Sequence, residues 1–234
     1  MRFRLLFIVF LCSFYSFSQK DSLQYKSAKE KRICFTVDYG FGLRTAKSPG
    51  GLSQETKNYI KDLRSGSSLD FKLGYKKDSN TVLGLMYSRY NSKGSLSNVS
   101  YVEPNGSEGT GDISDNITIS FIRVGGGLYE KGFRKEDAVV FDMYLGYISY
   151  KNVSNLTNNY TFKGGNLGVS TSLSYYLGLS QSIKIGPSIA FSGGMLKKFD
   201  IVGDNGFRGT YKLEKDTYES LYRFDFMIGT LIKL

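Results

Sequence analysis

Apolar and polar residues alternate along most of this chain, and a period of two indicates β-strands. The longest alternating run lies at the C-terminus. Its apolar face comprises Tyr222, Phe224, Phe226, Ile228, Ile232 and Leu234. Its opposite face comprises Arg223, Asp225, Met227, Gly229 and Lys233. A run of this length is long enough for a strand that crosses a bilayer.

Eight segments show the strand period, so the pattern predicts an all-β chain. They cover about residues 32–43, 68–76, 81–90, 116–126, 139–150, 165–177, 182–192 and 222–234. The fourth segment carries Ile117, Ile119 and Phe121 as its apolar residues. Its alternation slips near Ile122 and Arg123, which predicts a β-bulge or a strand end. In the seventh, Pro187 cannot donate to a ladder and counts against a strand.

The polar faces favour a closed barrel over a soluble β-sandwich, whose strands alternate in the same way. A solvated face tolerates long Lys, Glu and Gln side chains, whereas these faces consist largely of Gly, Ser and Ala. Isolated charges interrupt them at Asp38, Asp70, Lys72, Asp142, Lys184, Arg223 and Asp225. Because a narrow lumen requires small residues and compensating charges, we expect these seven side chains to pair with one another inside the barrel.

Long and short connections alternate between the predicted strands. The long ones cover about residues 44–67, 91–115, 151–163 and 193–217. The shorter ones are two short connections, at about residues 77–80 and 178–181, and an intermediate one at about 127–138. With an even number of strands, both termini lie on the side of the shorter connections. The outward aromatic residues then fall near the two rims of the barrel, as expected for a membrane barrel.

The N-terminus has the pattern of a secretory signal peptide. Arg2 and Arg4 precede an apolar run of about 11 residues, and Ser16 and Ser18 fit a cleavage site after residue 18. A membrane anchor would need about 20 apolar residues. The sequence therefore predicts cleavage of residues 1–18.

The end of the chain resembles the C-terminal assembly signal of bacterial outer-membrane β-barrels. That signal has a glycine, followed by hydrophobic residues at the antepenultimate and last positions, here Gly229, Ile232 and Leu234. Aliphatic residues stand where aromatic ones are usual, and Met227 stands where a polar residue is expected.

Residues 32–234 as a whole resemble the small eight-stranded outer-membrane barrels, the class of the outer-membrane protein A transmembrane domain and its porin-like relatives. The resemblance implies a transmembrane, antiparallel, up-and-down barrel in the bacterial outer membrane, preceded by a short periplasmic segment at 19–31. Four long loops would lie outside the cell. The implied partners are outer-membrane lipid, lipopolysaccharide and the barrel assembly machinery.

Composition removes several classes of function. The 234 residues contain no histidine, and only Cys34 remains of two cysteines once residues 1–18 are removed. A His-dependent triad, a zinc cluster and an internal disulfide are therefore not expected, and no other cofactor is predicted. The net charge is +10, but lysines and arginines do not cluster with stacking aromatics, so nucleic acid is not an expected partner.

The first long connection contains Leu52, Tyr59, Ile60 and Leu63 at helical spacing, with Ser53 as a helix cap. This spacing favours a short amphipathic helix packed on the barrel rim. The alternative is a surface element whose lysines and arginines meet lipopolysaccharide phosphates or a partner.

Three functions are compatible with the sequence. The first is a non-enzymatic, structural or surface-interacting protein that presents four extracellular loops to a ligand the sequence does not identify. The second is a small pore or transporter, which needs a larger oligomer or additional strands because eight strands enclose a lumen that side chains fill. The third is a surface enzyme that works without histidine. Asp225 does not favour this third function, because Arg223 two positions away predicts a salt bridge.

Overall fold

The computed structural model describes residues 32–45, 51–102, 106–156, 158–204, 206–214 and 218–234. The predicted signal peptide and segment 19–31 lie outside this part of the chain. The elements are β1 (Ile33–Arg44), α1 (Gln54–Arg64), β2 (Ser65–Lys76), β3 (Thr81–Val102), β4 (Glu108–Lys131), β5 (Ala138–Asn155), β6 (Asn159–Gly178), β7 (Ile183–Leu196), β8 (Lys198–Gly203), β9 (Arg208–Lys212), β10 (Glu219–Ser220) and β11 (Arg223–Lys233).

Eight strands close into a ring in the order β1, β2, β3, β4, β5, β6, β7 and β11. Every neighbouring pair is antiparallel, including the pair of β1 with β11 that closes the ring. The predicted all-β, eight-stranded, up-and-down barrel is confirmed. The three remaining strands lie beside the ring: β8 pairs with β6 and β9, and β10 pairs with β7.

The strands are strongly tilted. A path of directly paired residues leaves Ile33 and passes through Tyr75, Leu83, Gly126, Met143, Thr171, Phe191, Phe224 and Leu43. It therefore returns to β1 ten residues further along the strand. For eight strands, this shift corresponds to a tilt of about 40°. A barrel of this size has an interior that side chains fill.

A belt of apolar side chains covers the outside of the ring. Ile122, Leu167 and Ile228 are each about two-thirds exposed, at 65%, 68% and 66%. The belt spans about ten residues of strand, or about 25 Å along the barrel axis. This height matches the hydrocarbon core that a transmembrane barrel faces. We call this surface the apolar belt.

The two ends of the barrel differ. Three short turns, at residues 77–80, 132–137 and 179–182, lie at the end we call lower. At the upper end, β3 and β4 run for 22 and 24 residues, well beyond the belt. Much of the sequence expected to form long loops is therefore strand, because hairpins with both faces in water can pair without an apolar alternation.

The bulge predicted at Ile122 and Arg123 is wrong. Ile122 pairs with Tyr87 on one side and Tyr147 on the other, without a change of register. The strand continues, but the type of inward residue changes along it. Ile117, Ile119 and Phe121 fill the upper lumen, whereas Arg123, on the same inward face, forms an ion pair with Asp70. These three apolar residues therefore face inward, not toward lipid.

The register shift in this hairpin lies higher on β3, between Leu96 and Val99.

Pro187 lies within strand β7, although it has no backbone N–H to donate. It pairs with Ile228 of β11, and the pairing of β7 with β6 is interrupted opposite it, between Ser174 and Leu177.

The predicted helix is present at the upper rim. Ser53 caps α1 by accepting a hydrogen bond from the Thr56 N–H at 3.2 Å. Leu63 packs against the apolar residues of the upper lumen, and the Tyr59 hydroxyl donates to Asp115. Burial, together with this hydrogen bond, raises the pKa of Tyr59. No helix among the described residues is long and apolar enough to cross a membrane.

Candidate functional site

The lumen is the candidate site, and it is built in three layers. The lower layer is apolar and contains Ala138, Val140, Tyr176 and Leu231, with Tyr129 packed against them. The upper layer is apolar as well and contains Tyr90, Ile117, Ile119, Phe121, Ile148, Tyr150, Leu196 and Leu221. A layer of charged and small polar residues lies between them. The inward positions of the ring strands thus change from apolar to ionic and back along the axis.

Lys72 holds two carboxylates in the middle layer. Its Nζ lies 3.0 Å from Asp142 Oδ2 and 3.6 Å from Asp38 Oδ2. Ser172 donates to Asp142 at 3.2 Å, and the Tyr176 hydroxyl donates to Asp38 at 2.9 Å. All these groups are buried. The cluster ties β1, β2, β5 and β6 together across the lumen.

Two arginines form the rest of the middle layer. Arg223 donates from Nε to Asp225 Oδ2 and from Nη2 to Ser88, both at 2.9 Å. Arg123 Nη2 lies 3.3 Å from Asp70 Oδ2, and its guanidinium lies over the Phe121 ring at 4.7 Å. The Arg223 guanidinium likewise lies 5.5 Å from the Tyr90 ring. The arginines therefore connect the ionic layer to the apolar layer above it, through cation–π contacts.

Glycines make room for three of the four carboxylates. Asp38 lies directly opposite Gly229, Asp225 opposite Gly42, and Asp142 opposite Gly127. A Cβ atom on any of these glycines would overlap with the facing carboxylate. Small residues on one strand are thus paired with charged residues on the next, and each carboxylate occupies the space above the glycine that faces it.

The structure places all seven of the predicted lumen charges on inward, buried positions. It brings six of them into ion pairs, together with Arg123, which the sequence reasoning missed. Arg123 is two positions after Phe121 and therefore lies on the same strand face, which is inward. The sequence contained this signal, but the bulge expected at Ile122 and Arg123 implied that the alternation ended there. Lys184 stands apart: it is buried near the lower end of β7, and none of the ion pairs among the described residues includes it.

The three residues of the terminal pattern lie on β11 or just beyond it. Gly229 faces the lumen, whereas Ile232 pairs with Phe35 of β1 and with Ile183 of β7. Leu234 is exposed, and its N–H donates to the Ile33 carbonyl at 2.8 Å. The described residues include no cluster of three or more metal-ligating side chains.

No protein-family model matches this sequence, and no curated protein matches it. The fold, by contrast, is similar to solved structures. The outer-membrane protease OmpT from Escherichia coli is 10% identical and aligns with a TM-score of 0.50, over 91% of this chain and 100% of that one. A major outer-membrane protein from Thermus thermophilus is 11% identical, with a TM-score of 0.53 over 86% and 98%.

At these identities the likeness concerns the fold alone. The two proteins share with this chain the closed barrel architecture, and this agrees with the resemblance found in its terminal strand. The chain has the fold of the bacterial outer-membrane β-barrel proteins.

Proposed function

We propose that this protein is a non-enzymatic, non-conducting barrel of the bacterial outer membrane. The barrel is structural or surface-interacting and presents its upper loops and hairpins outside the cell. The observation that carries the proposal is the layered lumen. An ion crossing it would have to pass an apolar layer, a layer of paired charges and a second apolar layer. Eight strands leave no room for an aqueous path beside these side chains.

The apolar belt and the barrel fold support the location. A soluble protein rarely exposes so large a continuous apolar surface, since such patches mark contact with a membrane or a partner. Residues 1–18 fit a cleaved signal peptide, and residues 32–234 form the domain that crosses the membrane. In this position, the barrel contacts outer-membrane lipid and lipopolysaccharide.

The ionic layer serves structure in this proposal, not catalysis. Its carboxylates are bound by Lys72, Arg123 and Arg223, and buried apolar side chains separate them from both ends of the barrel. The sequence contains no histidine to act as a base. The fold by itself does not decide this question, because OmpT, which shares it, is a protease.

We further propose that Gly229, Ile232 and Leu234 form the signal read by the barrel assembly machinery. The strand that carries them closes the ring against β1. Its recognition would therefore couple delivery of the last strand to closure of the barrel.

Conductance in planar lipid bilayers tests the main proposal. The refolded protein, shown to be folded by its shifted mobility on unboiled gels, should insert without stable current steps. A porin inserted by the same procedure is the positive control. Uniform current steps from folded protein would contradict the proposal and support the alternative, a small pore or transporter.

A further inference from the structure

A row of lysines crosses the outer face of the barrel just above the apolar belt. It consists of Lys151 on β5, Lys163 on β6, Lys198 on β8 and Lys212 on β9, which are four neighbouring strands. All four side chains are exposed, and none forms an ion pair within the described part of the chain. We call this set the lysine row.

The lysine row is unfavourable for the protein alone. Lys151 lies directly opposite Lys163, and Lys198 lies directly opposite Lys212. Like charges at directly paired positions destabilise a sheet. The acid on this face is Asp200, opposite Lys163, and it already accepts a hydrogen bond from Thr210 at 2.8 Å. The two repulsive pairs thus lie side by side, with Asp200 between them.

The position of the row indicates which anions are near it. Lys151 points outward like Tyr147, which lies four residues below it on β5. Lys163 points outward like Leu167, which lies four residues below it on β6. Four residues correspond to about 10 Å along the axis at this tilt. Lysine side chains bring their ammonium groups toward a membrane interface by extending along the surface. The row is thus level with the headgroups of lipids whose chains cover the belt.

A second cationic element stands at the same edge of the belt on another side of the ring. Lys57, Lys61 and Arg64 of α1 line a recess of about 300 Å³ together with Phe41 and Leu43. Phe41 and Leu43 are exposed belt residues of β1. Cations above apolar side chains suit a headgroup phosphate and the acyl chain beneath it.

We propose that the lysine row binds phosphate groups on lipids of the surrounding leaflet. The recess beside α1 offers a second contact of the same kind. The inference rests on the proposed location in the outer membrane, and it names the lipid chemistry recognised there. A bound phosphate would lie between the facing lysines and turn their repulsion into two attractive contacts.

The test compares lipid A, a phosphorylated glycolipid, with the same glycolipid after removal of its phosphates. The mature protein is reconstituted in phosphatidylcholine vesicles with either glycolipid, and the retained glycolipid is counted by native mass spectrometry. Lipid A should bind more tightly, by about fivefold for each lysine engaged. The variant K151Q/K163Q/K198Q/K212Q should lose this preference. The control variant K131Q/K135Q, which removes two lysines at the lower end, should retain it.

Stability distinguishes lost binding from lost folding. In phosphatidylcholine alone, the four-glutamine variant should resist urea at least as well as the wild type, because its facing lysines are gone. With lipid A, the wild type should gain stability and the variant should not. Equal retention of the two glycolipids by the wild type would overturn the proposal, as would an equal loss in K131Q/K135Q.

A soluble polyanion is the competing occupant. Displacement of lipid A by a lipid-free sulfated oligosaccharide at similar concentration would assign the row to soluble glycans and overturn the lipid assignment. A protein that inserts, does not conduct and shows no phosphate preference contradicts this inference alone. A protein that conducts or does not insert contradicts the proposed function.

Discussion

Lys72 is the residue on which the ionic layer most depends, because it is the cation shared by two buried carboxylates. Replacing Lys72 with Ala would leave Asp38 and Asp142 buried without their common partner. We expect the variant to lose about 3–5 kcal/mol of unfolding free energy, as measured by urea titration in lipid vesicles.

Two variants control this prediction. Lys77→Ala removes an exposed lysine from a lower turn and should change stability by less than about 0.5 kcal/mol. Adding Asp142→Asn to Lys72→Ala should restore part of the loss, because one of the two stranded charges is then removed. If Lys72→Ala is as stable as Lys77→Ala, the ion pairs do not stabilise the barrel.

Gly229 has a structural reason to be glycine, apart from any role in assembly. A methyl group at this position would overlap with the Asp38 carboxylate. Gly229→Ala should therefore cost about 1–3 kcal/mol in unfolding experiments that use purified protein and lipid alone. The cost should shrink in an Asp38→Gly background, which removes the overlap. A full cost in that background would show that the side chain of Asp38 is not the cause.

At the residue scale, the sequence predicted that the seven lumen charges face inward but not how they pair. Strand period alone placed Asp38, Asp70 and Asp142 on the inner face. Their partners depend on the register between strands and on the tilt of the barrel, which bring Tyr176 to Asp38 from 138 residues away. Arg123 was missed because an apolar inner layer lies above it, and local alternation does not distinguish an apolar interior from a lipid-facing surface.

At the element scale, Asp137 holds the lower turn between β4 and β5. Its carboxylate accepts hydrogen bonds from the Gly178 N–H at 3.1 Å, the Tyr175 hydroxyl at 2.8 Å and Arg134 at 3.3 Å. Burial opposes ionisation, but these hydrogen bonds prevail and lower the pKa of Asp137 to about 2. The turn is therefore held by a carboxylate that stays ionised in moderate acid.

The lowered pKa predicts how stability depends on pH. The unfolded chain takes up a proton near pH 4, whereas the folded carboxylate does so only near pH 2. The contribution of Asp137 is thus complete above pH 4 and is lost as the pH falls toward 2. Asp137→Asn should flatten the acid limb of the stability curve in this window. An identical acid limb in wild type and variant would contradict the prediction.

The terminal strand gives a second prediction at this scale. Ile232→Asp with Leu234→Asp should permit export but block insertion, leaving aggregated or degraded protein in the periplasm. Ile33→Asp is the matched control, because Ile33 is an exposed residue at the lower rim on β1, outside the terminal pattern. Cell fractionation and unboiled gels measure the outcome. Normal amounts of folded double variant in the outer membrane would refute the assembly signal.

The sequence predicted the membrane part of each strand well and the upper part poorly. Within the belt, one face meets lipid, so apolar residues recur at every second position. Above the belt, β3 and β4 continue through Ser95, Ser114 and other polar residues, where water lies on both sides and no alternation is required. The small strands β8, β9 and β10 escaped prediction for the same reason.

At the scale of the whole molecule, the belt decides whether this is a membrane protein. Met143 and Leu173 are outward residues of the belt, 43% and 55% exposed. An arginine at either position should cost about 2–4 kcal/mol in a bilayer near the midplane. Thr110→Arg, on the exposed upper part of β4, should cost nearly nothing. Unfolding in vesicles, with mobility on unboiled gels, measures these effects.

A soluble protein would give the opposite result. If the chain folds and stays monomeric in buffer without detergent, with Met143 and Leu173 shielded from water, the apolar belt is not a lipid-facing surface. The barrel would then have to cover it by other means.

The seam between β1 and β11 has a consequence for biogenesis. Cys34 pairs with Lys233, so the first strand of the ring pairs with the last strand to be synthesised. Until β11 arrives, β1 and β7 each present an open edge with unpaired backbone groups, and open edges recruit other chains. A chain that ended before β11 would therefore be left with an unclosed sheet, and we expect it to associate with other chains through the free edges of β1 and β7.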